Sequence, residues 1–218
     1  LTFSSCGLDI ERIILRSFAE GVNFLLKNQN NKNFITITLG NKKINISLFK
    51  NKSYIFTQDF DFGIDLVVQD ISKLCSLNID EVKFFLKETN LKLVLENDTQ
   101  SYIEKKFFSN SPYRKIKHQL ILDIIKARLD EIIDICYKKN SNLDFFKKNE
   151  NTIYLFLENF KYFKNIQFIL EKNKLINAEF VFGKNVDSNE LFGLNGAVEL
   201  ISRGWEKEAI PVIQSKKS

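Results

Sequence analysis

The chain has 218 residues, 44% hydrophobic and 27% charged, enough to bury a core as one domain or two small ones. Its net charge of +5 comes without a long block of like charges or a basic stripe interleaved with aromatics, which argues against nucleic acid as a partner. Cys6, Cys75 and Cys136 lie far apart and His118 is the single histidine, so the residue types for a zinc site are missing and the thiols read as free and mostly buried in a reducing cytosol. No run of ~18 apolar residues is present to cross a membrane.

Residues 8–15 read as a short strand. Ser17 is placed to cap a helix over 18–27, with Phe18, Val22, Leu25 and Leu26 on one face. A polar loop over 29–32 precedes two alternating runs, 34–38 and 44–49, around the turn Leu39-Gly40-Asn41-Lys42-Lys43. β-Branched and aromatic residues with period two, broken at Gly-Asn, predict a hairpin. A third strand over 54–57 follows Asn51-Lys52-Ser53, and Asp61-Phe62-Gly63 leads into a helix over 65–74 with Leu66, Val67, Ile71 and Leu74 inward. Asn78 caps the next helix, 79–87, whose first turn carries Asp80 and Glu81 where the helix dipole favours them.

Residues 91–103 read as a strand pair around Glu96-Asn97-Asp98. Pro112 then opens the longest helix, to about Lys138, on the period of Ile116, Leu120, Ile124, Ala127, Ile132 and Ile135. A polar connector over 140–151 leads to a buried strand over 152–157, a helix over 162–171 and a short strand over 178–182. Ser188 or Asn189 caps a last helix, through Arg203, with Gly193, Gly196 and Ala197 in its interior; Gly204, Pro211 and residues 214–218 form an exit tail. His118 reads as a helix-surface residue, Asp70 as solvated, and Trp205 as a packing anchor. The order predicts an α/β protein, with a boundary near Asn90.

Motif order carries a resemblance. Thr38-Leu39-Gly40-Asn41-Lys42-Lys43-Ile44 stands where a phosphate loop D-x-G-G-G-T-T would lie, followed without a gap by Asn45-Ile46-Ser47-Leu48-Phe49. Phe62-Gly63-Ile64-Asp65-Leu66-Val67-Val68-Gln69-Asp70-Ile71-Ser72 corresponds to the pattern G-G-x-x-V-T-x-D-I-A, and Ile124-Ile125-Lys126-Ala127-Arg128-Leu129-Asp130-Glu131-Ile132 to the pattern I-I-x-x-R-x-E-E-I. Together with Cys6-Gly7-Leu8-Asp9-Ile10-Glu11, these resemble FtsA, the actin-like bacterial cell-division family, over its second half.

The resemblance implies an actin-like ATPase (ribonuclease H-like) fold, the second lobe with two subdomains. One subdomain is expected over 1–90 and again over 151–205, an inserted one with the long helix over 91–150, and a flexible tail over 206–218. The absence of methionine, even at position 1, fits a fragment, a processed or a recoded chain. The resemblance also implies an ATP site with Mg in a full-length protein. Here that site reads as degenerate: Thr38 replaces an aspartate, Asn41 and Lys42 replace glycines, Lys83 replaces a ribose-binding glutamate, and Phe156-Leu157-Glu158 replaces a glycine turn. Gly40, Lys42, Lys43 and Gly63 remain as nucleotide-loop remnants, although Gly40 and Gly63 read equally as turn glycines.

The partners implied are the acidic C-terminal tail of FtsZ on a face with Arg128, Glu131 and Lys126, widened by Lys117; further copies of the chain in a protofilament; and the inner membrane, through a C-terminal helix outside this chain. The location implied is the cytoplasmic face of the membrane at the division site. Two alternatives stand beside this: a PilM-like pilus-assembly protein, or an active actin-like ATPase.

Overall fold

A computed structural model describes residues 4–7, 13–27, 33–97, 100–147, 152–157, 166–172, 176, 179–181 and 188–202. Residues 8–12 of the expected first strand, Glu158, Trp205 and the tail lie outside this set, and residues 13–15 are not a strand. A five-stranded sheet has the order β3-β2-β1-β4-β5, with β1 Phe34–Leu39, β2 Ile44–Lys50, β3 Ser53–Phe60, β4 Thr152–Leu157 and β5 Glu179–Val181. β4 and β5 run parallel, with Tyr154 opposite Glu179 and Phe156 opposite Val181. Along β2 and β3, Ser47 Oγ meets Thr57 Oγ1 at 3.1 Å and Asn45 Nδ2 donates to Asp59 Oδ1 at 2.7 Å, the opposed progression of an antiparallel pair.

Position in the sheet decides burial. β1, in the middle, is buried at every residue but Thr38, whereas the edge strand β3 has no buried residue. Thr36, a polar position in the alternating pattern, is only 4% exposed, as a central strand covered on both faces requires.

The chain forms two compact units, residues 1–34, 47–57 and 183–218 in one and 35–46 with 58–182 in the other. In the first unit, α1 Arg16–Lys27 begins one residue before the expected cap Ser17, and α8 Ser188–Ser202 falls where its pattern placed it. The interior glycine of α8 has a packing role: a Cβ on Gly196 would collide with the backbone carbonyl of Ala19, so the two helices touch through main chain. Phe34 stacks on Phe49 at 4.5 Å between centroids, and Phe24 and Tyr54 extend this aromatic cluster.

The β2–β3 hairpin is closed by Asn51 (φ 51°) and Lys52 (φ 67°), both left-handed, the geometry of a type I′ turn. Asn suits this conformation; Lys does not, because its Cβ crowds the carbonyl. Lys52→Gly is therefore expected to stabilise the protein by about 0.5–1 kcal/mol, read as an increase in the urea midpoint at constant slope.

In the second unit, α2 Asp65–Cys75 buries Val67, Val68 and Ile71, and α5 His118–Ile133 buries Ile121, Leu122, Ile125, Leu129, Ile132 and Ile133. α3 Ile79–Glu88 lies between them in sequence and starts at Asn78, as its pattern predicts. Two expected elements are corrected. Residues 91–97 form a helix, α4 Leu91–Asn97, not a strand. Leu91, Leu93 and Leu95 imitate a period of two, but Asn90 Oδ1 accepts from the Leu93 N–H at 3.4 Å and starts a helical turn instead. The long helix begins at His118 rather than Pro112, because residues 101–103 claim the backbone ahead of it: Ile103 N–H donates to the Ile116 carbonyl at 2.8 Å and His118 N–H to the Ser101 carbonyl at 3.0 Å. α5 ends in a π-helical turn, Asp134–Lys138. The expected polar connector holds α6 Asp144–Lys147, and α7 Ile166–Lys172 follows β4.

His118 is 9% exposed, not at the surface; its Nδ1 lies 2.8 Å from Ser101 Oγ and its ring stacks on Phe85. Cys75 and Cys136 are buried and Cys6 exposed; burial pushes the Cys136 thiol up to about 12.

Candidate functional site

The sequence points to the β1–β2 turn and the start of α2 as phosphate loops. The structure brings these two together, and it joins them to each other. Gly40 N–H donates to the Lys43 carbonyl at 2.9 Å, closing the turn. Ile64 N–H then donates to the Gly40 carbonyl at 3.0 Å, and Asp65 N–H to the Asn41 carbonyl at 2.9 Å. The next two amides turn inward on the helix, Leu66 to Gly63 at 3.1 Å and Val67 to Ile64 at 2.9 Å. A helix start binds anions through amides that have no intrahelical acceptor. Here those amides already have acceptors, supplied by the hairpin turn.

Gly63 makes this clasp possible. A Cβ there would meet the Gly40 carbonyl oxygen, the Asn41 oxygen at 2.5 Å and the Asn41 carbonyl carbon at 2.6 Å, all backbone. Close approach of main chain to main chain, rather than to a ligand, is what the glycine serves in this geometry. Lys42 is exposed, and Lys43 Nζ lies 3.3 Å from Asp61 Oδ1, with both side chains largely in solvent. An ion pair so exposed contributes little. Thr38, half-buried on β1, supplies a neutral hydroxyl, a weaker ligand for a hard cation than a carboxylate.

The second candidate cluster lies on α5. Arg128 Nε donates to Asp70 Oδ2 on α2, and its Nη1 to Glu131 Oε2 at 2.6 Å. Arg128 and Asp70 are 27% and 22% exposed, so this is a half-buried link between helices. Asp70, expected as solvated, is the partner that sequence separation hid. Hydrogen bonding to Asp70 raises the Arg128 pKa, against the opposing effect of burial. Lys126 is exposed, and Lys117 Nζ bonds the Gln100 side-chain oxygen at 3.0 Å. The structure thus unites Arg128 with Glu131 and directs the guanidinium to Asp70.

A third centre went unread in the sequence. Glu81 is 3% exposed and accepts from Asn78 N–H at 2.8 Å, Asn110 N–H at 2.6 Å, Ser111 N–H at 2.9 Å and Ser111 Oγ at 2.5 Å. The Asn78 bond completes a capping box, and Asn78-x-x-Glu81 carries that spacing openly. The others tie α3 to residues 109–111, which no local pattern announces. Burial works to raise the Glu81 pKa, but the hydrogen bonds from Ser111, Asn110 and Asn78 overcome it and hold the carboxyl at about 2.

No family model and no curated protein sequence matches the chain. Solved structures do: the chain has the actin-like ATPase fold, a mixed α/β architecture on a mixed sheet. It is similar to MreB5 of Spiroplasma citri bound to AMPPNP (TM-score 0.59, 10% identity, covering 94% of this chain and 64% of that one). It is also similar to the ethanolamine utilization protein EutJ from Carboxydothermus hydrogenoformans (TM-score 0.54, 10% identity, covering 87% and 56%). The chain spans less than two thirds of the length of either structure.

Proposed function

We propose that this chain belongs to an actin-like interaction protein of the FtsA type, which self-associates and links the FtsZ ring to the membrane without hydrolysing ATP. The observation that carries this reading is the clasp between the Gly40–Asn41 carbonyls and the Ile64 and Asp65 amides. It occupies the backbone donors that a phosphate needs, and Lys42 and Lys43 offer charge without a cradle. An actin-like fold whose cleft lacks those donors keeps its surfaces as its means of action. The division role rests on the order of motifs from Thr38 to Ile132 and on the exposed Lys126, which lies on the same helix as the Arg128–Glu131 pair.

Two measurements test this. Phosphate release from ATP is expected at background, and Lys42→Gly with Lys43→Thr is expected to restore none, because the α2 amides stay engaged. Turnover by the unmodified chain would overturn the reading in favour of an active ATPase. Anisotropy of a labelled FtsZ C-terminal tail peptide is expected to show salt-sensitive binding, weakened roughly fivefold by Lys126→Glu, the loss of about 1 kcal/mol. Lys126 is the informative site because replacing Arg128 would also break its link to Asp70. No binding by the folded chain would remove the division role.

A further inference from the structure

Residues 104–117 carry five basic side chains, Lys105, Lys106, Arg114, Lys115 and Lys117, against one acidic, Glu104, a net charge of +4. All five are exposed. Lys106 pairs with Glu104 at 2.8 Å and Lys117 with the neutral Gln100 amide, while Lys105, Arg114 and Lys115 make no ion pair among the described residues. In the sequence the cations form two short clusters separated by residues 107–113. The pairing of Tyr102 with Lys117 folds these clusters into one segment.

The segment is firmly supported. Ile103 bonds Ile116, Glu81 holds the Asn110 and Ser111 amides, and Phe107, 4% exposed, packs edge-on against Phe85 at 5.3 Å. Little ordering entropy is left to lose on binding. Between 108 and 115 no residue is buried, so the side chains of this loop are open to a partner. Tyr102 and Tyr113 are 45% and 44% exposed, and Tyr113 rests edge-on against Phe108 at 5.1 Å. Exposed cations with half-exposed tyrosines match a flat anionic surface: the cations meet phosphates and the phenols sit at headgroup depth.

We propose that residues 102–117 form a membrane-contact surface for anionic phospholipid headgroups. It uses this chain's own side chains and does not depend on the division reading. The test is sedimentation of the 218-residue chain with vesicles of phosphatidylcholine alone or containing roughly one third phosphatidylglycerol, a fraction that gives a strongly negative surface. Binding is expected only to the anionic vesicles, and to fall with NaCl. The triple variant Lys105→Gln, Arg114→Gln, Lys115→Gln is expected to bind about 100-fold more weakly, since each cation near such a surface is worth about a fivefold factor. A control with the same charge change elsewhere, Lys73→Gln, Lys87→Gln, Lys92→Gln, is expected to bind within about threefold of the parent. Equal losses in both variants, no binding to anionic vesicles, or tighter binding to single-stranded RNA than to vesicles would overturn the proposal.

Discussion

Gly63→Ala is expected to destabilise the protein by about 3 kcal/mol, the upper range for overpacking a closed site. The added methyl would have to occupy space held by the Gly40 and Asn41 carbonyls, which are main chain and cannot rotate away. Accommodating it means separating the β1–β2 turn from α2, which breaks the Ile64 and Asp65 hydrogen bonds. Each of those groups would then be left without its buried partner. For a chain of this size, 3 kcal/mol corresponds to a fall in Tm of about 6–12 °C. Urea unfolding of the variant reads the loss directly. A change under about 0.5 kcal/mol, the level of a neutral surface substitution, would show that the clasp is not present in solution.

Removing the charge of Glu81 should cost a similar amount, with a pH signature of its own. The fold lowers this carboxyl from 4.5 to about 2, so it favours the ionised form. The stabilisation is therefore complete above pH 4.5 and is lost as pH falls from there towards 2. That lowering corresponds to about 3 kcal/mol at neutral pH. Glu81→Gln places an amide where several donors converge, and the amide NH2 then faces donor groups instead of accepting from them. Wild type and Glu81→Gln are expected to differ by about 3 kcal/mol in urea at pH 7 and by less than half of that at pH 3. A gap that stays constant with pH would mean that Glu81 acts through shape alone. The Asp134 carboxyl is lowered as well, by hydrogen bonds from Lys139 and Lys138. Comparing the two proteins cancels its contribution.

The hairpin from Phe34 to Lys50 was legible because its turn chemistry and its side-chain period agree locally. So were Asn78 as a cap, the apolar strand over 152–157 and the last helix with its glycines. Residues 91–97 were misread because three leucines at alternate positions fit a strand as well as a helix, and the deciding contact is a single cap from Asn90. The start of α5 was misplaced because Pro112 signals a helix start only when the residues after it are free. Here Ile116 and His118 are bonded to residues fifteen or so positions earlier.

The candidate sites divide in the same way. Gly40 and Gly63 were visible as special positions, since glycine is rare in this chain and both sit between periodic runs. Whether their neighbouring amides face a phosphate or a carbonyl depends on where the hairpin lies relative to α2. Arg128 and Glu131 were visible as a pair one helical turn apart, but Asp70 is 58 positions away in the sequence. Its arrival changes Arg128 from an open anion receptor into a link between two helices. Glu81 was placed correctly in a first helical turn, yet its partners at 109–111 belong to another segment.

The sequence by itself determined the five strands of the sheet, most of the helices and the residue types that argue against a complete phosphate cradle, because periodicity, capping and turn preference are local energies. Tertiary structure alone decided which amides are already bonded, which carboxylate meets Arg128, and how two short basic clusters become one exposed segment. Those outcomes depend on distances between segments far apart in the chain. A charge or an N–H group has the same local signature whether its partner is water, a ligand or another part of the protein.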